Sequence, residues 1–421
     1  MIKTIQLLPG VTLRAFRDCR FKQSCLSFQA VRRMCREESA MNALLSAVLL
    51  RGTRRHPDLR CITQRLDELY GAAVGPVVRR IGDYQTVGLY CGFMEDRFAL
   101  PGDAILAPMI DFLRELLLET AGDEGSFRPH IVESEKKNLI ATIESERNDK
   151  RAYAMARLFQ TMCQADSFGL PRLGEKADVA AIRPDELYRH YRRVLRESPI
   201  EIFYVGSFDA ETVAALLKPI LESIERSYVN LPEQTPYRFS PPSDLTEEMD
   251  VTQGKLCMGF TTPITNRDDR FPAMQVCNTV FGAGMTSKLF QNIREKMSLC
   301  YAIGSGYHGS KGIVTVSAGI DFDKMEVTKQ EIMAQLAACR CGQISEAELN
   351  AAKEAILSSL RAAHDSPGSI EGYYATAALS GMCLTPEQYM NAVEAVTLED
   401  VARAAATVQL HSSYFLKGVS A

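Results

Sequence analysis

Side chains able to hold a metal or move a proton are dispersed along this chain, not gathered. The six histidines (His56, His130, His190, His308, His364 and His411) stand singly. No two are four residues apart, the spacing that would put two imidazoles on one helical face around a metal. The twelve cysteines are also scattered, mostly in apolar segments such as those at Cys91 and Cys300, and read as reduced, buried small hydrophobes. Cys339 and Cys341 form the one close pair. With no second pair or nearby histidine, two thiols at a helix end are expected there, not a zinc site. The turn Gly282-Ala283-Gly284 lacks the Gly-Lys-Ser/Thr of a phosphate loop and any dinucleotide-binding spacing, so it reads as a tight turn between helices.

The elements that must position any site repeat. Val179 to Leu187 resembles Val393 to Val401, 214 residues later. Each segment leads through a helical pattern to an apolar strand ending in glycine, Ile200 to Gly206 in one half and Ser413 to Gly418 in the other. Ser39 to Asn42 and Pro272 to Gln275 likewise open corresponding helices, which lead to Tyr70 and Tyr301. The period is far longer than one supersecondary unit, so two copies of one domain are expected, not a solenoid. Between Ser227 and Asp250, prolines 232, 236, 241 and 242 interrupt a polar stretch without periodicity, which is linker composition. The domains are therefore placed at 1–226 and 251–421, with a linker over 227–250.

Within the copies, Tyr84–Phe93, Lys255–Thr262 and Ile313–Ile320 read as strands. Ala104–Glu119, a long stretch from Pro129 to about Cys163, and Lys324 through Ala363 read as helical. This pattern predicts an α+β fold, each domain a mostly antiparallel sheet covered by helices. A net charge of −4 gives no reason to expect nucleic acid or an anionic membrane as partner. Arg54-Arg55-His56 and Arg192-Arg193 read as solvated faces. No stretch approaches the roughly 20 apolar residues that span a bilayer, and the first ten residues lack a signal-peptide pattern, so a cytoplasmic protein is expected.

The segment from Gly284 to Tyr301 resembles the C-terminal signature of the insulinase/pitrilysin family of zinc peptidases. It has a glycine loop, Ser287-Lys288-Leu289-Phe290, then Arg294-Glu295-Lys296 and a tyrosine seven residues after the arginine. Arg51-Gly52-Thr53 and Leu66 to Gly71 resemble the family's first-domain pattern, and the likeness spans essentially the whole chain. In that family an H-x-x-E-H helix precedes the Arg-Gly-Thr, its histidines holding zinc and its glutamate activating water. Counting back, this sequence places Ala43 and Ala47 at the histidine positions and Ser46 at the base. The third ligand position, seven residues after Glu135, falls on Thr142, with Glu144 and Glu146 close by.

The resemblance implies a chain with no catalytic residues, no zinc and no other cofactor of its own. Its likeness is to the non-catalytic, bacterial YmfF-type members, which accompany a zinc-bearing, YmfH-like homologue. It also implies a clam-like heterodimer around a peptide chamber, with Arg294 and Tyr301 binding the peptide substrate. A guanidinium can grip a peptide carbonyl or carboxylate, and a phenol can donate to a developing oxyanion. Two other readings stand beside this one: an active peptidase with a divergent metal site, and a scaffold or peptide-binding protein with no proteolytic role.

Overall fold

The computed structural model describes every residue except 1, 124, 235, 236, 238, 239, 420 and 421. Pro236 of the proline-rich stretch thus lies outside the described residues.

The first part of the chain runs β1 (Ile2–Leu8), β2 (Val11–Arg17), β3 (Gln23–Arg33), α1 (Arg36–Val48), α2 (Leu59–Glu68), β4 (Ala73–Ile81), β5 (Tyr84–Met94) and α3 (Leu106–Leu118). A two-rung ladder of β6 (Gly122–Asp123) and β7 (Ser126–Phe127) comes next. It is followed by α4 (Pro129–Asn148), α5 (Lys150–Met162), α6 (Lys176–Ala181), α7 (Pro184–Glu197), β8 (Ile200–Gly206) and α8 (Ala210–Glu222). The stretch read as one helix from Pro129 breaks at Asp149, whose carboxylate accepts the amides of Arg151 and Ala152 and so caps a new helix.

The second part runs β9 (Asp244–Met249), β10 (Gly254–Thr261), α9 (Phe271–Phe281), a π-helix (Leu289–Lys296), β11 (Cys300–His308) and β12 (Ile313–Ile320). It closes with α10 (Met325–Arg340), α11 (Glu346–Ala362), α12 (Pro367–Ser380), α13 (Pro386–Ala395), α14 (Leu398–Ala406) and β13 (Gln409–Gly418). The end of the proline-rich stretch is thus a strand. β9 is charged and half exposed, and it is held by parallel backbone pairing to β13, so no apolar alternation announces it.

The duplication appears in the topology. One sheet orders its strands β1-β2-β8-β3-β5-β4; the other, taken from its β9 edge, reads β9-β13-β10-β12-β11. Each has one parallel pair, β2 with β8 and β9 with β13, and is otherwise antiparallel. β1 is the extra edge strand of the first.

The chain folds into two compact units, each drawing on discontinuous stretches. The first comprises 1–144, 170–233 and 363–376; the second comprises 145–169, 234–362 and 377–421. The continuous domains placed at 1–226 and 251–421 therefore differ from the compact units by two short segments, and packing explains both. In the second unit, Ala154 and Leu158 of α5 pack on Cys257, Tyr414 and Leu416 of the sheet. A Cβ at Gly259 would stand 2.5 Å from Met162 Sδ, so the glycine lets α5 lie close. In the first unit, Ile370 of α12 packs on Cys25 and Val205. Glu371, fully buried, accepts from Ser27 Oγ and Gln29 Nε2, each at 2.7 Å, and takes a two-pronged ion pair from Arg79 at 2.8 and 3.0 Å. The opposite face of that sheet, with Leu26 and Phe28, carries the main core with α1, α3 and α7.

Candidate functional site: a helix without ligands and an accessible Arg–Tyr pair

α1 buries most of its length against β4 and β5 in the first unit. Ala43 is buried, and Ser46 is wholly so. The Ser46 hydroxyl donates to Val77 O at 3.4 Å and accepts the Gly88 amide at 3.2 Å, tying the helix to both strands. Beside it a buried polar chain runs through Asn42. The Asn42 amide donates to Gln85 Oε1 at 2.8 Å, and its oxygen lies 2.7 Å from His190 Nε2. Arg193 donates to His190 Nδ1 at 3.0 Å, so the ring proton sits on Nε2. Burial holds this imidazole neutral, pulling its pKa down to about 4.

The Arg51-Gly52-Thr53 turn after α1 is a structural knot. A side chain at position 52 would meet the Pro57 carbonyl at 2.6 Å. Thr53 Oγ donates to buried Glu115, which also receives His56 Nδ1 at 2.7 Å. Arg51 Nε pairs at 2.7 Å with buried Glu135 on α4. Seven residues along α4, Thr142 is exposed and its hydroxyl donates to Asn138 O at 3.0 Å. Glu144 is exposed and pairs with Lys176. Among the described residues no group of three or more His, Cys, Asp or Glu side chains gathers to hold a metal ion. Cys339 is buried and Cys341 exposed at the end of α10, so the two thiols face different surroundings.

Arg294 and Tyr301 lie in the second unit, where the π-helix packs against the edge strand β11. The Arg294 guanidinium lies 4.6 Å above the Phe290 ring and 3.7 Å from Glu295, with 41% of its side chain exposed. Ser298, with φ 51°, turns the chain from helix into strand between the two residues. Tyr301 is 63% exposed, and its hydroxyl donates to Asp321 Oδ1 at 3.1 Å. Lys324 holds the other Asp321 oxygen at 2.8 Å, and the two donors keep that carboxyl below its ordinary pKa. No sequence signal marks Asp321: it stands 20 residues from Tyr301, and the pairing of β11 with β12 brings it near.

Residues 181–356 match the family model described as "Peptidase M16 inactive domain". The chain is 30% identical over 409 residues to a Bacillus subtilis protein described as "Probable inactive metalloprotease YmfF", covering 97% of this chain and 96% of that one. The chain belongs to the insulinase/pitrilysin (M16) peptidase family. Among solved structures, a conserved protein from Enterococcus faecalis superposes with a TM-score of 0.91 at 27% identity, covering 100% of this chain and 99% of that one. A peptidase M16 inactive domain from Pseudomonas fluorescens shares the fold, with a TM-score of 0.81 at 16% identity over 100% of this chain and 98% of its own.

The zinc of active insulinase-family members does not fit the residues found here. The resemblance sets Ala43 and Ala47 at the histidine positions, and their methyl groups offer no lone pair. Ser46, which the resemblance sets at the base position, is committed to backbone groups, and a hydroxyl accepts a proton from water poorly near neutral pH. Thr142 is engaged within its own helix. This family member lacks the H-x-x-E-H motif and is an inactive-type homologue of the metallopeptidases.

Proposed function

We propose that this chain is the non-catalytic, substrate-binding subunit of a heterodimeric insulinase-family metallopeptidase in the cytoplasm, whose partner is a zinc-bearing homologue. One contrast carries the reading. The first histidine position and the base position, Ala43 and Ser46, are buried packing on α1, while Arg294 is half-exposed on the π-helix and Tyr301 is exposed on the adjoining edge strand β11. Core positions with no chemical task drift toward apolar residues, whereas an exposed phenol and guanidinium contribute little to stability and gain their meaning from a bound peptide. In this role the guanidinium grips a peptide carbonyl or carboxylate, and the phenol hydrogen-bonds the bound backbone. The partner's zinc supplies the activated water.

The test is reconstitution with a zinc-bearing homologue. The mass of the mixture is read by light scattering, and turnover of a fluorogenic peptide is followed. A complex of both chains is expected, inactive without the partner. Arg294→Ala and Tyr301→Phe should each lower turnover about tenfold or more without dissolving the complex. Unchanged turnover in both variants would leave a scaffold role instead. About one equivalent of tightly held zinc in this chain alone would favour a divergent peptidase site.

A further inference from the structure

Where α3, α7 and the end of α8 meet, the first unit holds a cleft of about 700 Å³. Leu118, Leu195 and Ile224 give it apolar walls, and five arginines line it. Three are neutralised within the fold: Arg114 by Asp111 and Glu119, Arg189 by Asp185, and Arg193 by Glu38. The other two, Arg192 and Arg196, are exposed, and among the described residues their guanidinium groups have no ion-pair or hydrogen-bond partner. Of the two acids on the lining, Glu197 faces Arg32 at 3.9 Å, which leaves Glu225. Arg226, the next residue, turns inward and donates to Leu195 O at 2.7 Å and Ser198 O at 2.5 Å. Its buried Nε has no partner, and no carboxylate among the described residues balances its charge.

Two unpaired guanidinium groups therefore line the cleft together with one free carboxylate, and the charge of Arg226 lies behind the lining residue Leu195. Arg192 and Arg196 stand one helical turn apart, where like charges repel. An oxyanion seated between them would convert that repulsion into charge-assisted forks, the geometry guanidinium groups suit best. The cleft has the volume of a small-molecule site and not of a groove for a long polymer. We propose that it binds a small ligand carrying two or more oxyanion groups, phosphate or carboxylate, gripped by Arg192 and Arg196. This site is separate from the peptidase reading and needs no partner chain.

The full chain is titrated calorimetrically at low ionic strength with inorganic pyrophosphate and, separately, with citrate, beside the R192Q/R196Q variant. Saturable binding of at least one probe is expected. The double substitution should weaken it about tenfold or more while leaving the thermal midpoint of the free protein unchanged. Pyrophosphate alone would identify phosphate esters as the ligand class, citrate alone polycarboxylates, and both a general oxyanion site. Absence of binding by either probe, or equal affinity in the variant, overturns the site.

Discussion

Ser46, which the family resemblance sets at the general-base position, uses its hydroxyl to bridge α1 to β4 and β5. One turn before it on α1, Asn42 bonds His190, which is buried with Glu38, Arg193 and Arg32 near, and burial is the main cause of its depressed pKa. The sign of the linkage follows. The folded imidazole titrates near pH 4 instead of 6.5, so as pH falls through that window the unfolded chain binds a proton that the folded one refuses. Stability therefore falls as pH drops from 6.5 toward 4, by on the order of 3 kcal/mol from this group. Urea denaturation across that range should show the decline. His190→Gln, which retains a donor for Asn42, should make the slope shallower, and an unchanged slope would remove His190 as its source.

Each copy contains a helix that completes the other copy's unit: α5 lies in the second and most of α12 in the first. Their anchors differ in kind. α12 brings the buried Glu371 to Arg79, Ser27 and Gln29. The turn after α5 carries Asp166, which forms a fully buried ion pair with Lys311 of the β11–β12 turn at 3.0 Å and accepts the Phe168 amide at 2.8 Å. Removing one partner strands the other charge in a dry interior. Lys311→Met should therefore cost about 3–5 kcal/mol in chemical denaturation. Combining it with Asp166→Asn should recover a large part of that loss, since the pair's net worth is small beside the penalty for an orphaned ion. If the double variant were as unstable as the single, the pair would not be acting as a coupled unit.

At the scale of the whole molecule, discontinuous units make the halves interdependent. A fragment of residues 1–226 would lack 363–376, which shields Cys25 and the Ser27–Gln29 face of the first sheet. In the intact chain Cys25 is buried and its thiol is pushed up to about 12, so it should resist a thiol-specific reagent at neutral pH. In the 1–226 fragment Cys25 should label readily, as followed by mass spectrometry of the tryptic peptide, and protection should return when 227–421 is co-expressed. Continued protection of Cys25 in the isolated fragment would show that the first unit closes without the distant helix. Among the described residues no helix is long and apolar enough to cross a membrane.

The duplication, the strands Tyr84–Met94 and Ile313–Ile320 and the helix Leu106–Leu118 are all legible in the sequence. Each rests on local periodicity or on the identity of residues at a fixed spacing, and both are properties of a short stretch of chain. Strand β9 is not legible, because backbone pairing to a distant strand makes it and its side chains stay half in water. The exchange of α5 and α12 is invisible for a related reason: an amphipathic pattern says that a helix buries a face, not against which sheet. The Asn42–His190 chain, the Asp166–Lys311 pair, the Tyr301–Asp321 bond and the arginine cleft join residues 20 to 148 positions apart. Such contacts are set by how elements pack, so only the tertiary structure decided which of these polar side chains are paired and which are left to a ligand.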